Sequence, residues 1–217
     1  MSDENINIRN LRQDYKSSFL LETAIETDPI KQFDKWFKHA LDVKILEPNA
    51  MTLATVDSSG FPNARIVLLK EFNQNGFVFF TNYNSAKGQN ISFNPNVSLL
   101  FFWVELERQV RIYGTAEKLT EKDSEDYFHS RPHGSQLGAH ASPQSQVIPN
   151  REFLEKELKN LELEYNQKEI PKPLHWGGYL VKPVKIEFWQ GRSNRLHDRI
   201  LYTKNADASW KIERLAP

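Results

Sequence analysis

From Asp28 onward the hydrophobic positions switch between two periods. Ile30, Phe33, Trp36, Phe37, Ala40 and Leu41 recur every three or four residues, which is one face of a helix. Asp28-Pro29 supplies its opening, with Asp as the cap and Pro at the first helical position. The period then shortens. Met51 to Val56 predicts a strand ending at the turn Asp57-Ser-Ser-Gly60, and Ala64 to Lys70 predicts a second. Asn73-Gln-Asn-Gly76 turns the chain into a strand over Phe77 to Phe80. Ser85 caps a short helix that stops at Asn94-Pro95. Val97 to Val104 and Arg108 to Leu119 predict further strands. Thr120 opens a helix running to about His129 with a capping-box-like pattern. Asn150 caps a longer charged helix to about Gln167, ended by Pro171 and Pro173. Gly178 to Val184, Lys185 to Gln190, Arg199 to Thr203 and Ser209 to Arg214 predict closing strands.

About nine strands with short turns, and no regular strand–helix alternation, predict a mainly antiparallel barrel with helices packed outside. Residues 1 to 27 carry charge and little periodicity and read as a mobile arm, leaving 28 to 217 as a single domain. The chain of 217 residues is 39% hydrophobic and 12% aromatic, enough to build a core without staples. There is no cysteine, which removes disulfides, a thiolate nucleophile and Cys-ligated metal. Basic and acidic residues balance at 28 each, so the chain lacks the basic excess of a nucleic-acid or membrane-surface binder. The polar, acidic start Met1-Ser-Asp-Glu-Asn is unlike a signal peptide, and no apolar run approaches the length of a membrane span. A cytoplasmic protein is the expectation.

The stretch richest in chemistry is Glu187-Phe-Trp-Gln-Gly-Arg-Ser-Asn-Arg-Leu-His-Asp-Arg199. If extended, it places Arg195, His197 and Arg199 on one face, suited to an anionic planar ligand. The plain alternative is a solvated edge strand with Glu187 and Asp198 as ion-pair partners. Phe188-Trp189-Gln190-Gly191 suggests a strand ending in a tight turn against something flat. Elsewhere, Arg65 and Lys70 bracket four aliphatic residues and fall on opposite strand faces. Thr81-Asn-Tyr-Asn-Ser-Ala-Lys87 leads into a helix start, which suits a phosphate, although simple capping by Ser85 also explains it. Tyr127 and Arg131, four apart, share a helical face, and Ser135 follows. Their plain reading is a surface pair at a helix end. His129 and His133 share zinc-like spacing, but Pro132 interrupts them and no third ligand is evident, so no metal site is expected.

These segments together resemble the pyridoxamine 5′-phosphate oxidase family. The resemblance rests on Arg65-Ile-Val-Leu-Leu-Lys70, Leu106-Glu-Arg-Gln-Val110, Tyr127-Phe-His-Ser-Arg-Pro132, Gln144-Ser145, Ile186-Glu-Phe-Trp-Gln-Gly with Arg195-Leu-His-Asp-Arg199, and the ending Trp210-Lys-Ile-Glu-Arg-Leu-Ala-Pro217. They stand in the family's order from about Arg12 to Pro217. It implies an FMN-binding split β-barrel and a homodimer with the flavin between subunits. It implies oxidation of pyridoxine and pyridoxamine 5′-phosphates to pyridoxal 5′-phosphate, with oxygen reduced to hydrogen peroxide. Carried over by position, the cofactor set is Arg65, Ile66, Val67, Leu68, Leu69, Lys70, Phe80, Thr81, Lys87, Gln109, Gln144, Ser145, Trp189 and Arg199. The substrate set is Arg12, Tyr15, Lys70, Tyr127, Arg131, Ser135, Arg195 and His197, with Arg195 and His197 nearest the reaction. His197 is expected to orient the substrate and to be able to accept a proton. Where the family usually has Arg-Lys on the FMN phosphate, this chain has Ala86-Lys87. Two alternatives remain at this point: an FMN oxidoreductase or flavin reductase with another substrate, and a carrier of flavin or pyridoxal phosphate without turnover.

Overall fold

The computed structural model describes Arg9, Leu11 and residues 13–217. Nine strands and five α-helices are present among these residues: α1 Pro29–Asp42, β1 Ala50–Val56, β2 Pro62–Leu68, β3 Glu71–Asn73, β4 Gly76–Asn82, α2 Ala86–Phe93, β5 Asn96–Trp103, β6 Arg108–Lys118, α3 Glu121–Ser130, α4 His133–Ala141, α5 Arg151–Glu164, β7 Trp176–Gln190, β8 Asp198–Lys204 and β9 Trp210–Leu215. The strand order is β2-β1-β5-β6-β7-β4-β3, with β8 on β7 and β9 on β8. The resolved registers are antiparallel, with Leu53 opposite Arg65, Phe79 opposite Tyr179 and Tyr202 opposite Ile212. The mainly antiparallel fold class follows from this pairing.

The helix starts are where side-chain chemistry puts them. Asp28 accepts from the Ile30 and Lys31 amides, Ser85 from Gly88, Thr120 from Asp123 and Asn150 from Phe153. Three expectations need correction. The strands over 178–184 and 185–190 are one 15-residue strand, β7, because Pro183 fixes a φ that an extended chain tolerates. Between Thr120 and Asn150 the pattern predicts one helix and the structure has two: Pro132, which interrupts the first, stands at the N-cap of α4. The run from Arg195 to Arg199 is not extended. Ser193–Arg195 forms a 3₁₀ turn with Asn194 at φ 56 and Arg195 at φ 62, and β8 begins only at Asp198. Asn tolerates that left-handed backbone, which ends the alternation assumed for the cations.

The chain divides into two compact units. The first joins the described residues up to Pro48 with Phe102–Val110 and Ile186–Pro217. Its core is the apolar face of α1, with Ile30, Phe33, Trp36 and Ala40 buried. Trp36 meets Phe188 edge-on at 5.2 Å, and Phe188 meets Tyr202 at 5.5 Å. Arg108 is buried over the Trp36 ring at 4.5 Å and donates from Nε to Gln190 Oε1 at 2.9 Å. Burial lowers its pKa to about 10. Residues 15–22, read as arm, make defined bonds in this unit: the Leu20 amide donates to Asp198 Oδ2 at 3.1 Å, and Arg214 Nη2 donates to Leu20 O at 2.8 Å.

The second unit comprises Asn49–Phe101 and Arg111–Lys185. Strands β1, β2 and β5 pair in it, as do β3, β4 and β7. Phe128, Leu137, Ile170 and Trp176 form a buried cluster against Phe80, Tyr127, Leu158, Leu161 and Tyr165, which joins α3, α4 and α5 to the sheet. At the end of β5, Phe101 and Trp103 are core and Phe102 is exposed. Strand alternation turns neighbours to opposite faces. No helix among the described residues is long and apolar enough to cross a membrane.

Candidate functional site

In the second unit a cleft of about 450 Å³ is lined by Ile66, Val67, Leu68, Lys70, Phe80, Thr81, Asn82, Lys87, Tyr127, Arg131, Pro132, Ser135, Gln144 and Trp176. Most of the residues expected in this half of the chain therefore meet. The wall is the end of β2, and the floor is aromatic. Phe80 stacks on Tyr127 with centroids 3.8 Å apart, and Phe80 and Tyr127 lie within 15° and 5° of the Trp176 plane. Trp176 was absent from the expectations, because a tryptophan opening a strand cannot be told by sequence from an ordinary core aromatic.

Arg131 is not on the helical face with Tyr127. It is the C-cap of α3, with extended φ −77 and ψ 150. The extended backbone ahead of Pro132 follows from the restriction that proline places on its predecessor. This turns the guanidinium onto Trp176, 4.5 Å from the ring centroid. Its Nη1 is buried and has no hydrogen-bond partner among the described residues. An unpaired buried guanidinium N–H is costly, and burial correspondingly lowers the Arg131 pKa. Ser135 lies in the first turn of α4, whose N-cap residue Pro132 has no capping side chain. The free amides of a helix start favour an anion there.

A second cationic corner sits at the start of α2. Lys87 Nζ donates to Gln144 Oε1 at 2.8 Å and reaches Ser85 Oγ at 3.4 Å, and Thr81 Oγ1 donates to the same Gln144 oxygen at 3.1 Å. Burial and the nearby Arg65 charge both lower the Lys87 pKa. Arg65 stands off the cleft lining and donates from Nη1 to Thr55 Oγ1 at 2.7 Å. Its burial lowers its own pKa as well. Among the described residues no carboxylate pairs with Arg65, Lys87 or Arg131. Two positive corners without counter-ions, beside a flat aromatic floor, fit a ligand set carrying phosphate and ring. Lys70 lies beyond the end of β2, so the opposite-face argument does not apply to it, although it does line the cleft. Leu69 is core, Ser145 is exposed at φ 70, and Ala86 is exposed at the first position of α2.

In the first unit a separate cleft of about 540 Å³ is lined by Leu11, Gln13, Asp14, Tyr15, Arg192, Asn194, Arg195 and His197. Tyr15, Trp189 and His197 form a ring cluster, with centroids 5.8 Å apart for Tyr15–Trp189, 4.6 Å for Trp189–His197 and 6.0 Å for Tyr15–His197. Gly191 permits this approach: a Cβ there would stand 2.7 Å from Tyr15 Cγ. The Arg192 amide donates to His197 Nδ1 at 3.1 Å. Burial, then the Arg195 charge, lowers the His197 pKa. Arg199 is held apart from these groups, donating from Nε to buried Glu187 at 2.9 Å and from Nη1 to Ala216 O at 2.8 Å. Gln109 is half-buried on β6. Arg12 lies outside the described residues.

The family assignment agrees with this geometry. A family model described as pyridoxamine 5′-phosphate oxidase matches residues 37–164, and one described as the pyridoxine 5′-phosphate oxidase C-terminal dimerisation region matches 176–217. The chain is 57% identical over 210 residues to a pyridoxine/pyridoxamine 5′-phosphate oxidase of Flavobacterium johnsoniae, covering 96% of this chain and 98% of that one. It is 54% identical over 210 residues to the protein of that name from Trichormus variabilis, covering 97% and 98%. PhzG of Burkholderia lata, solved with tetrahydrophenazine-1-carboxylic acid, superposes with a TM-score of 0.87 at 28% identity over 93% of this chain and all of that one. A pyridoxamine 5′-phosphate oxidase-related, FMN-binding protein of Nostoc punctiforme shares the fold, with a TM-score of 0.70 at 18% identity over 89% of this chain and all of that one. The fold is thus the split barrel of these oxidases. The chain belongs to the pyridoxamine 5′-phosphate oxidase family.

Proposed function

We propose that the protein is an FMN-dependent oxidase that converts pyridoxine 5′-phosphate and pyridoxamine 5′-phosphate to pyridoxal 5′-phosphate. Oxygen is reduced to hydrogen peroxide, and the amine substrate also consumes water and releases ammonia. The observation that carries this reading is Arg131: half-buried, 4.5 Å over the Trp176 ring and lacking a partner for its buried Nη1, it suits the phosphate of a small aromatic ligand. Lys70, Tyr127 and Ser135 complete that phosphate set, all on one cleft. Arg65, Lys87, Thr81 and Gln144 serve the cofactor phosphate, with Ile66, Val67, Leu68, Leu69, Lys70, Phe80, Gln109, Ser145, Trp189 and Arg199 around the remainder of the flavin. When bound, FMN supplies the hydride acceptor and the reaction with oxygen. The chain's own residues supply position: Arg12, Tyr15, Arg195 and His197 orient the ring and its 4′ carbon.

The relatives' names support the substrate class, and the matched dimerisation region supports a homodimer with the flavin at the subunit interface. A dimer of this kind gives the exposed Phe102 and Val104 side chains an apolar partner. A cytoplasmic location completes the proposal. An FMN reductase acting on unphosphorylated substrates leaves the buried Arg131 group without a partner, and a non-catalytic carrier leaves the Tyr15–Trp189–His197 cluster without a task. Fluorescence titration with FMN, followed by light scattering, tests the cofactor and assembly: reversible flavin binding by a dimer is expected. A protein that binds no FMN, or is monomeric when loaded, refutes the proposal.

A further inference from the structure

The turn that carries His197 also fixes which of its nitrogens can hold a proton. The Arg192 backbone N–H points at Nδ1 from 3.1 Å. A backbone amide can only donate, so Nδ1 must present a lone pair. Arg192 is itself held on three sides. Its Nη1 donates to Asp198 Oδ2 at 3.3 Å, its guanidinium covers the Phe19 ring at 3.5 Å, and the neighbouring Ser193 hydroxyl donates to Tyr15 O at 3.1 Å. Asp198 accepts further bonds from the Leu20 amide at 3.1 Å and from Arg214 Nη1 at 2.8 Å. The amide facing the imidazole is therefore part of a braced turn.

We infer that His197 is locked as the neutral tautomer protonated on Nε2, and so serves its ligand as a hydrogen-bond donor, not as a proton acceptor. A neutral imidazole has one N–H and one acceptor nitrogen, and the Arg192 amide uses the acceptor. The remaining N–H then suits a carbonyl or anionic oxygen on the bound ring. The charged and titratable neighbours are Asp14, Tyr15, Arg192, Arg195 and Asp198. The Arg195 charge and partial burial both disfavour the imidazolium, which would have to break the Arg192 bond. Arg192 acts here through its backbone as a positioning residue. That His197 meets substrate rests on the proposed function; the tautomer does not.

The test has two arms. In the first, nitrogen NMR of the FMN-loaded protein with isotopically labelled histidine, assigned with a His197→Gln sample, reads the tautomer at neutral pH. A pyridine-type Nδ1 and a protonated Nε2 are expected. A protonated Nδ1, or an imidazolium, overturns the inference whatever the enzyme's substrate. In the second, His197→Gln is compared with His197→Ala in turnover of pyridoxine 5′-phosphate. Gln places an amide N–H near the Nε2 position but cannot act as a base. It is expected to retain about tenfold more kcat/KM than Ala. Equal losses of kcat on the order of 100-fold or more, with the acidic limb of the pH profile removed, would assign a base to His197 and overturn the donor role. Absence of turnover in the unsubstituted protein would count against the proposed function and leave the NMR result standing.

Discussion

The Arg131 guanidinium lies 4.5 Å over the Trp176 ring, and its Nη1 is buried without a partner among the described residues. A cation held in this way, half-desolvated against an aromatic face, is arranged for an anion yet to arrive. Arg131→Ala is expected to weaken phosphorylated substrate by about 1.5–3 kcal/mol while FMN affinity changes little. Arg131→Lys should restore only part, since a lysine neither stacks flat nor forks. Steady-state KM and an FMN titration separate the outcomes; loss of FMN with unchanged KM would reverse the two phosphate assignments.

Ala86 is exposed at the first position of α2, beside Lys87, which already feels the Arg65 charge. Ala86→Arg is expected to strengthen FMN binding by on the order of 1 kcal/mol, because a helix start and a new guanidinium both favour phosphate. The gain should shrink at high salt. FMN titrations at two ionic strengths measure it, and unchanged or weaker binding would mean that the corner is already complete.

Gly191 has no room for a side chain, since a Cβ would meet Tyr15 Cγ at 2.7 Å and Tyr15 Cβ at 2.9 Å. Gly191→Ala should push Tyr15 off Trp189, costing about 1–3 kcal/mol of stability and raising substrate KM. Thermal unfolding and KM are the readouts. A variant as stable and as tight-binding as the parent would show that Tyr15 is free to move.

These sites differ in how far they were legible in the sequence. Caps at Asp28, Ser85, Thr120 and Asn150 could be read because each needs only local chemistry. The convergence of Lys70, Tyr127, Arg131 and Ser135 came from the motif resemblance, since no local pattern brings a loop, a cap residue and a second helix together. The turn at Asn194 and Arg195 was misread: alternation of charges mimicked a strand, and positive φ leaves only a weak trace in sequence. Trp176, Arg108 and the Arg192 amide escaped notice because their roles depend on burial or on backbone, neither of which has a residue signature.

Glu22 is held by Arg214, and this bond lowers its pKa from 4.5 to about 2. A carboxylate depressed in the folded state stabilises fully above its unfolded pKa, and the contribution is lost as pH falls through the folded value. Attachment of the segment around Leu20 to β9 should therefore weaken between pH 4.5 and about 2. Hydrogen exchange of the Leu20 to Ala24 amides across that window measures it. Glu22→Gln should remove this pH dependence, and an unaltered acid profile would place the anchor elsewhere.

The most direct test of the central claim is aerobic turnover of the FMN-loaded protein with pyridoxine 5′-phosphate, following aldehyde and peroxide together. Equal amounts of pyridoxal 5′-phosphate and hydrogen peroxide are expected, with unphosphorylated pyridoxine turned over far more slowly because it offers Arg131 no phosphate. Aldehyde without peroxide, equal rates with and without the phosphate, or no aldehyde from protein that binds FMN would contradict the account.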